Sequence, residues 1–179
     1  MVGQGMIYNV ISFSVVLMLI YLVLQRDYYL LMGEGICVFI QWFIKEGTEG
    51  WYPPIFKRPD GATNCNLFNM GGVVDTKSGF PSGHVAATTL FIITYMLRNN
   101  HMNTNLFMLY HIPIILVAYA RIMKGCHNTI QVFAGYLLGY GLAIVLHTYN
   151  ASITEYMTSV YNKYILSHDT TCQDESKLF

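Results

Sequence analysis

The segment Phe80-Pro81-Ser82-Gly83-His84 directly precedes a long uncharged stretch and holds residue types that can handle a phosphate group. Proline fits the first turn of a helix, and serine and glycine fit its cap. The free backbone N–H groups and the positive end of such a helix form an anion site. The Ser82 hydroxyl and the Gly83 N–H would bind phosphate oxygens there, and His84 would transfer a proton. The alternative is a plain helix start with an interfacial histidine.

A second group consists of Arg121, His127 and Gln131. An arginine offers a bidentate fork for phosphate oxygens. His127 and Gln131 are four residues apart and share one helical face. The amide oxygen of Gln131 can therefore accept the imidazole N–H and turn the other ring nitrogen toward a substrate. An interfacial arginine anchor beside a polar helix cap is the alternative interpretation.

Lys45 and the run Lys57-Arg58-Pro59 form a third group, made of cations. Lys45 ends an apolar stretch, and Pro59 restricts the backbone just after Arg58. Cations placed beside a phosphate site would neutralise its charge. A solvated basic loop is the alternative here.

The composition of the chain limits what can position these groups. Of 179 residues, 10 are Lys or Arg and 10 are Asp or Glu, so charged residues make up 11%, while hydrophobic residues reach 54%. An average soluble domain has roughly a quarter charged residues. So low a charge content, with no net charge, argues against a soluble enzyme, a basic nucleic-acid binder and a disordered chain. It predicts a membrane protein with no nucleic-acid partner.

Charged residues are absent from 1–25, 78–97, 99–120 and 125–154. A bilayer-spanning helix needs about 20 mostly apolar residues, and its backbone groups must bond one another in lipid. We therefore predict an all-α, polytopic transmembrane helix bundle with about five spans, at 6–24, 28–44, 85–97, 106–123 and 130–149. An amphipathic helix follows, lying on the membrane surface or extending the fifth span. We predict a single domain, 1–166, and a polar tail, 167–179.

Five spans place the 45–83 and 121–129 segments on the same side of the membrane. Six of the ten basic residues lie in these two segments, beside His84 and His127. A cytoplasmic bias of basic loops is the alternative explanation. Gly135 and Gly139 are predicted to form a packing surface inside the bundle rather than a dimer contact. Glu34 is an ionisable residue within a predicted span, which by default indicates a functional site; we favour the alternative that it faces a loop or pairs with a nearby cation.

Together these pieces resemble the type-2 phosphatidic acid phosphatase family, which includes lipid phosphatases, polyprenyl diphosphatases, glucose-6-phosphatase and the soluble vanadium haloperoxidases. The family pattern is a lysine, six residues and Arg-Pro; then Pro-Ser-Gly-His; then an arginine, five residues, a histidine, three residues and an aspartate. Arg58-Pro59, Pro81-Ser82-Gly83-His84, and Arg121 with His127 match it in order and spacing. The resemblance covers about residues 30–148 and implies the haloperoxidase-like helical core of this family.

The chain departs from the family pattern at two positions. Trp51 occupies the place of the family lysine, so Lys45 or Lys57 replaces it; we favour Lys45, because a helix end holds a side chain more firmly than a loop does. Gln131 stands where the family has an aspartate. The string from His127 to Gln131 looks like the dolichyl-diphosphatase branch, where glutamine is also used. The run 58–62 with Cys65 resembles short versions encoded by large DNA viruses.

The resemblance implies an integral membrane phosphatase that hydrolyses a lipid phosphate or a polyprenyl diphosphate without a metal or other cofactor. His127 would attack phosphorus and form a phosphohistidine, while Gln131 orients its ring. His84 would protonate the leaving oxygen and then activate water. The phosphate-binding residues implied by the resemblance are Lys45 or Lys57, Arg58, Ser82, Gly83 and Arg121.

The sequence leaves several alternatives open. The phosphohistidine could pass its phosphate to an acceptor other than water, or the chain could be a catalytically impaired member that binds lipid or protein. Cys65 and Cys126 would form a disulfide if their side of the membrane is oxidising, and would be free thiols otherwise. We expect a multi-pass protein of the endoplasmic reticulum or of a viral or host membrane. The family usually directs its site away from the cytosol, so the resemblance implies a site on the non-cytosolic face. A homo-oligomer is also left open.

Overall fold

The structure is a computed structural model, and it describes residues 2–49, 53, 55–68, 70–99 and 103–161. This part of the chain contains five α-helices, and its strand-like pairing is limited to two isolated bridges, Lys57 with Ser78 and Thr63 with Val73. The helices are α1 (Val2–Leu24), α2 (Tyr28–Thr48), α3 (Gly83–Arg98), α4 (Thr104–Met123) and α5 (Thr129–Tyr161). The predicted all-α fold is confirmed, with one helix for each predicted span.

Three stretches of these helices are long and apolar enough to cross a membrane: Met6–Leu24, Thr104–Met123 and Thr129–Asn150. Large apolar side chains on α1, α4 and α5 stay exposed, among them Leu17, Ile115 and Phe133. Water would disfavour so extensive an apolar surface, whereas lipid would cover it. The protein is therefore a membrane protein, as the composition predicts.

The chain forms two compact units, Met1–His147 and Thr148–Phe179. The residues of α5, Thr129–Tyr161, belong partly to each unit. The predicted boundary between 166 and 167 lies outside the described residues. All residues of the candidate site belong to the first unit.

Helix α3 is the central helix of the first unit. It packs against α1, α2 and α4, and most of its side chains are buried. α5 also approaches it closely: a Cβ atom at Gly135 would lie 2.5 Å from the Ser82 carbonyl oxygen. Gly135 and Gly139 therefore pack inside the bundle, as the small-residue spacing predicts.

The turn between α1 and α2 sets the relative direction of α2 and α3. The Asp27 carboxylate caps α2 by accepting the Leu30 N–H at 3.0 Å. It also accepts from Nη1 of Arg98, the last residue of α3, at 2.5 Å. The start of α2 is thus tied to the end of α3. The end of α2, with Lys45, consequently lies beside the start of α3, with His84.

We predict that Gly135→Ala destabilises the bundle, because the new methyl group would overlap the Ser82 carbonyl. The expected loss is about 1–3 kcal/mol in the free energy of unfolding, measured by thermal unfolding in detergent. Gly141→Ala is the matched control, since no atom lies within 4 Å of a Cβ there, and alanine is the better helix former. Equal melting temperatures for the two variants would contradict close packing at Gly135.

Candidate active site

Three segments meet at one rim of the bundle: the loop between α2 and α3, the N-terminus of α3, and the turn between α4 and α5. A disulfide between Cys65 and Cys126 joins the loop to the turn. Ala62 and Val74 pack against these cysteines. Of the two outcomes that the sequence left open for this pair, the structure has the disulfide.

The segments surround a cavity of about 380 Å³ that also reaches α1 and α2. Its polar lining residues are Glu34, Gln41, Lys45, Arg58, Asn66, Gly83, His84 and His127. Its apolar lining includes Val15, Leu19, Val38 and Ala87. Five residues predicted for the site from sequence therefore share one cavity: Lys45, Arg58, Gly83, His84 and His127.

His127 lies in the turn before α5 and is 2% exposed. Its Nδ1 is 3.2 Å from the Gln131 Oε1 atom, and its Nε2 is 3.4 Å from Nη1 of Arg58. A guanidinium only donates, so Nε2 must accept and the ring proton must sit on Nδ1. Burial, followed by the nearby charges of Arg58 and Arg121, lowers the pKa of His127 well below its usual range. The ring is therefore neutral at physiological pH, and the electron pair of Nε2 faces the Arg58 guanidinium.

The Gln131 side chain is fully buried and uses both ends of its amide. Its Nε2 donates toward three successive backbone carbonyls of the loop: Ile55 at 3.1 Å, Phe56 at 3.3 Å and Lys57 at 2.7 Å. Because these acceptors settle which end is nitrogen, the Oε1 atom must face His127. We call this arrangement the amide clamp. It connects the Arg58 loop to the His127 ring.

His84 occupies the first turn of α3 and is buried. Its Nε2 atom and the neighbouring Ser82 hydroxyl have no hydrogen-bond partner among the described residues. Gly83 lines the cavity, whereas Ser82 lies behind it as the N-cap residue of α3. The Ser82 N–H donates to the Gln131 carbonyl oxygen at 2.9 Å. This bond ties the start of α3 to α5.

The structure separates the two candidate lysines. Lys45 lines the cavity together with Arg58. Lys57 instead pairs with Asp60 at 2.8 Å, and 49% of its side chain is exposed. Burial lowers the pKa of Arg58 to about 10, so its guanidinium keeps its charge at neutral pH. The cations at the cavity are thus Arg58 and Lys45.

Arg121 is fully buried at the end of α4. Its Nη2 donates to the Cys65 carbonyl at 2.5 Å, and its Nη1 donates to the Ser12 hydroxyl of α1 at 3.2 Å. The Arg121 side chain is outside the cavity lining, but it is near enough to lower the pKa of His127. It braces the disulfide loop against α1, a contact that the sequence did not reveal.

Sequence reasoning missed Gln41 and Glu34 as residues of this cavity. Glu34 was expected to face a loop or to pair with a cation. It lines a cavity that the loop between α2 and α3 also lines, and the ion pairs found among the described residues do not include it. The available signal was spacing: positions 34, 41 and 45 fall on one face of α2. Among the described residues, no three His, Cys, Asp or Glu side chains are grouped as for a metal ion.

The fold and the cavity define a polytopic helical membrane protein with buried histidines and cations at one rim. A family model described as the PAP2 superfamily matches residues 27–154, and the chain belongs to this superfamily. The motif-based resemblance to the type-2 phosphatidic acid phosphatases is thereby confirmed, and membership supports phosphatase activity.

A solved structure has a similar fold. It is the crystal structure of a transmembrane PAP2-type phosphatidylglycerolphosphate phosphatase from Bacillus subtilis, with a TM-score of 0.61 and 17% sequence identity. The match covers 83% of this chain and 77% of that one. No curated protein sequence matches the chain.

We predict that Gln131→Glu lowers activity even though it supplies the carboxyl type that the family uses. The new carboxylate would lie against the carbonyls of Ile55, Phe56 and Lys57, which accept hydrogen bonds and cannot donate. Loss of these buried bonds should cost about 1–3 kcal/mol of stability, measurable by thermal unfolding alongside phosphate release. Gln25→Glu, at an exposed position, controls for the added charge. A Gln131→Glu variant as active as the parent would contradict the amide clamp.

We predict that reduction of the Cys65–Cys126 disulfide lowers both stability and activity, because the bridge holds the Arg58 loop against the His127 turn. Native disulfides typically contribute about 2–4 kcal/mol. The double variant Cys65→Ala with Cys126→Ala should melt lower than the parent and should not respond to reductant. A parent protein that is equally insensitive to reductant would argue against the bridge.

Proposed function

We propose that this protein is an integral membrane phosphatase that hydrolyses a lipid phosphate or a polyprenyl diphosphate through a phosphohistidine at Nε2 of His127. One observation carries the proposal: the electron pair of Nε2 faces Arg58 in a cavity that His84 and Lys45 also line. A neutral histidine with its proton held on the far nitrogen is the form that can attack phosphorus.

In the first step, a bond forms between Nε2 and phosphorus while the bond from phosphorus to the lipid oxygen breaks. His84 enters this step as an imidazolium and gives its proton to that leaving oxygen. Burial and the neighbouring cations lower the pKa of His84, and the negative charge of the bound phosphate group would favour the protonated form. In the second step, His84 accepts a proton from water as the water oxygen attacks phosphorus. The bond to Nε2 then breaks and inorganic phosphate leaves. The pair of histidines therefore returns to its starting state after each turnover.

Positive charge would stabilise both transition states without a metal. Arg58 and Lys45 would bind the phosphoryl oxygens, assisted by the Gly83 N–H at the positive end of α3. The Ser82 hydroxyl is buried at the start of α3, has no hydrogen-bond partner among the described residues, and is a further candidate donor. The positive charge of Arg121 also acts on His127. Lys57 has no part in this proposal, since its ammonium pairs with Asp60 on the exposed side of the loop.

The apolar part of the cavity supports a lipid substrate. Val15 and Leu19 from α1 and Val38 from α2 line it. The similar fold of a phosphatase that acts on phosphatidylglycerolphosphate is consistent with such a substrate. The disulfide beside the cavity supports a site on an oxidising, non-cytosolic side, as in the endoplasmic reticulum or at a viral or host membrane.

The proposal predicts phosphate release by the purified full chain in detergent from phosphatidic acid, a dolichyl phosphate or a dolichyl diphosphate. His127→Ala should abolish turnover with each of them. A phosphoenzyme that is labile to acid and stable to base should form on the parent and not on this variant. An acceptor alcohol in the assay distinguishes hydrolysis from phosphate transfer. A folded parent that releases phosphate from none of these lipids would be a binding protein instead.

The two lysines provide a second test. Lys45→Ala should lower kcat/KM by about 10²–10³, the usual effect of removing one charge-stabilising donor. Lys57→Ala removes the same charge from the exposed loop and should change kcat/KM by less than about twofold. The reverse order would assign the family's lysine role to Lys57.

A further inference from the structure

Glu34 is a buried carboxyl group that the mechanism above does not use. It lies on α2 and is 3% exposed, yet neither of its carboxyl oxygens has a hydrogen-bond partner among the described residues. The ion pairs found in that part of the chain, Lys57 with Asp60 and Arg98 with Asp27, do not include it. A group of this kind contributes no contact that stabilises the fold, and its burial is costly.

The carboxyl group lines the same cavity as the two histidines. Gln41 and Lys45 are on the same face of α2, and both reach the start of α3: a Cβ at Gly83 would lie 2.5 Å from the Gln41 Oε1 and 3.8 Å from the Lys45 Nζ. From Gln41 to Glu34 the helix descends seven residues, or about 10 Å at 1.5 Å per residue. Glu34 is therefore roughly two helical turns below the phosphate-binding groups, toward the lipid tail.

The lining of the cavity determines which protonation state of the Glu34 carboxyl group is stable. The apolar side chains of the cavity include Val15, Leu19, Val38, Leu67 and Ala87. An isolated ion among them would be strongly disfavoured. A neutral carboxylic acid, in contrast, offers one O–H donor and one carbonyl acceptor. The site thus suits a ligand group that accepts a hydrogen bond a few bonds beyond the phosphate.

We propose that Glu34 is a specificity-determining residue that donates a hydrogen bond to a carbonyl in the linkage between the phosphate and the tail of the lipid. This inference rests on the proposed function. It favours lipids with an ester or amide linkage over polyprenyl phosphates, whose tail is hydrocarbon from the phosphate onward. A polyprenyl chain would leave the Glu34 carboxyl unpaired against hydrocarbon, the arrangement that discriminates most strongly between ligands.

Gln131 does not contradict this assignment. Its amide contacts His127 and the carbonyls of the Arg58 loop, so it acts on the nucleophile. It lies outside the cavity lining, whereas Glu34 is within it. The presence of glutamine at position 131, which is shared with the dolichyl-diphosphatase branch, therefore does not indicate which lipid tail the substrate has.

The test compares three substrates with the full chain in detergent: diacyl phosphatidic acid, a polyprenyl phosphate, and p-nitrophenyl phosphate, which has neither linkage nor tail. For Glu34→Leu, we expect the ratio of kcat/KM for phosphatidic acid to that for the polyprenyl phosphate to fall about tenfold, mostly through KM. Glu34→Gln keeps a donor without a charge and should retain most of the parent ratio. A ceramide phosphate arm distinguishes an amide from an ester linkage.

Two controls separate a binding role from a structural one. Thr94→Val removes another buried hydroxyl without a hydrogen-bond partner, on α3 and outside the cavity lining, and should leave the substrate ratio at the parent value. Glu34→Leu should melt no lower than the parent, because an unpaired buried group has been removed.

The outcomes are distinguishable from failure of the proposed function. If the parent hydrolyses none of the substrates, p-nitrophenyl phosphate included, the phosphatase proposal itself is wrong. If the parent is active and Glu34→Leu changes kcat/KM by the same factor for all substrates, Glu34 does not bind the carbonyl of the linkage. A Glu34→Gln variant as impaired as Glu34→Leu would mean that the ionised carboxylate is needed, which also overturns the inference.

Discussion

The hydrogen bonds of one buried side-chain amide hold the candidate site together. Gln131 donates to three loop carbonyls and accepts from His127. The three loop carbonyls bind the amide nitrogen and thereby fix the amide oxygen toward the imidazole. The bonds to the loop carbonyls connect the loop that carries Arg58 to α5, and the bond to the imidazole fixes the orientation of the His127 ring. A carboxylate can orient a histidine, but it cannot also bind a row of carbonyls, so this loop and this glutamine belong together.

The rest of the rim supports the same contact from other sides. The disulfide joins Cys65 to Cys126, the residue before His127, and Arg121 donates a hydrogen bond to the Cys65 carbonyl oxygen. Gly135 allows α5 to approach the N-cap of α3, which keeps His84 beside the cavity. Polar groups are scarce in this chain, and the membrane gives them no water. Burial in mutual contact is therefore the arrangement that lets them coexist with lipid.

Helix positions were predictable to within a few residues because long uncharged apolar runs can satisfy their backbone in lipid only as helices. Pro81-Ser82-Gly83-His84 was predictable as a helix start because its residue types suit a cap. The sequence favoured Lys45 over Lys57 as the lysine beside the phosphate site. Both lysines lie between the second and third predicted spans, so only the structure could show which of them lines the cavity. The ion pair considered for Glu34 is not among those found in the described residues. The sequence could not decide this point, because local spacing does not show whether a cation lies across the bundle.

The sequence by itself determined the membrane character, the five helices and the family, and it proposed residues for the chemistry, five of which line one cavity. These properties follow from composition, hydrophobic run length and short motifs, which act locally along the chain. Only the tertiary structure decided that Arg121 braces a loop, that Cys65 and Cys126 are bonded, and that Glu34 lies below the phosphate-binding groups. Those facts depend on contacts between residues far apart in the chain, and such contacts arise from the packing of helices around α3.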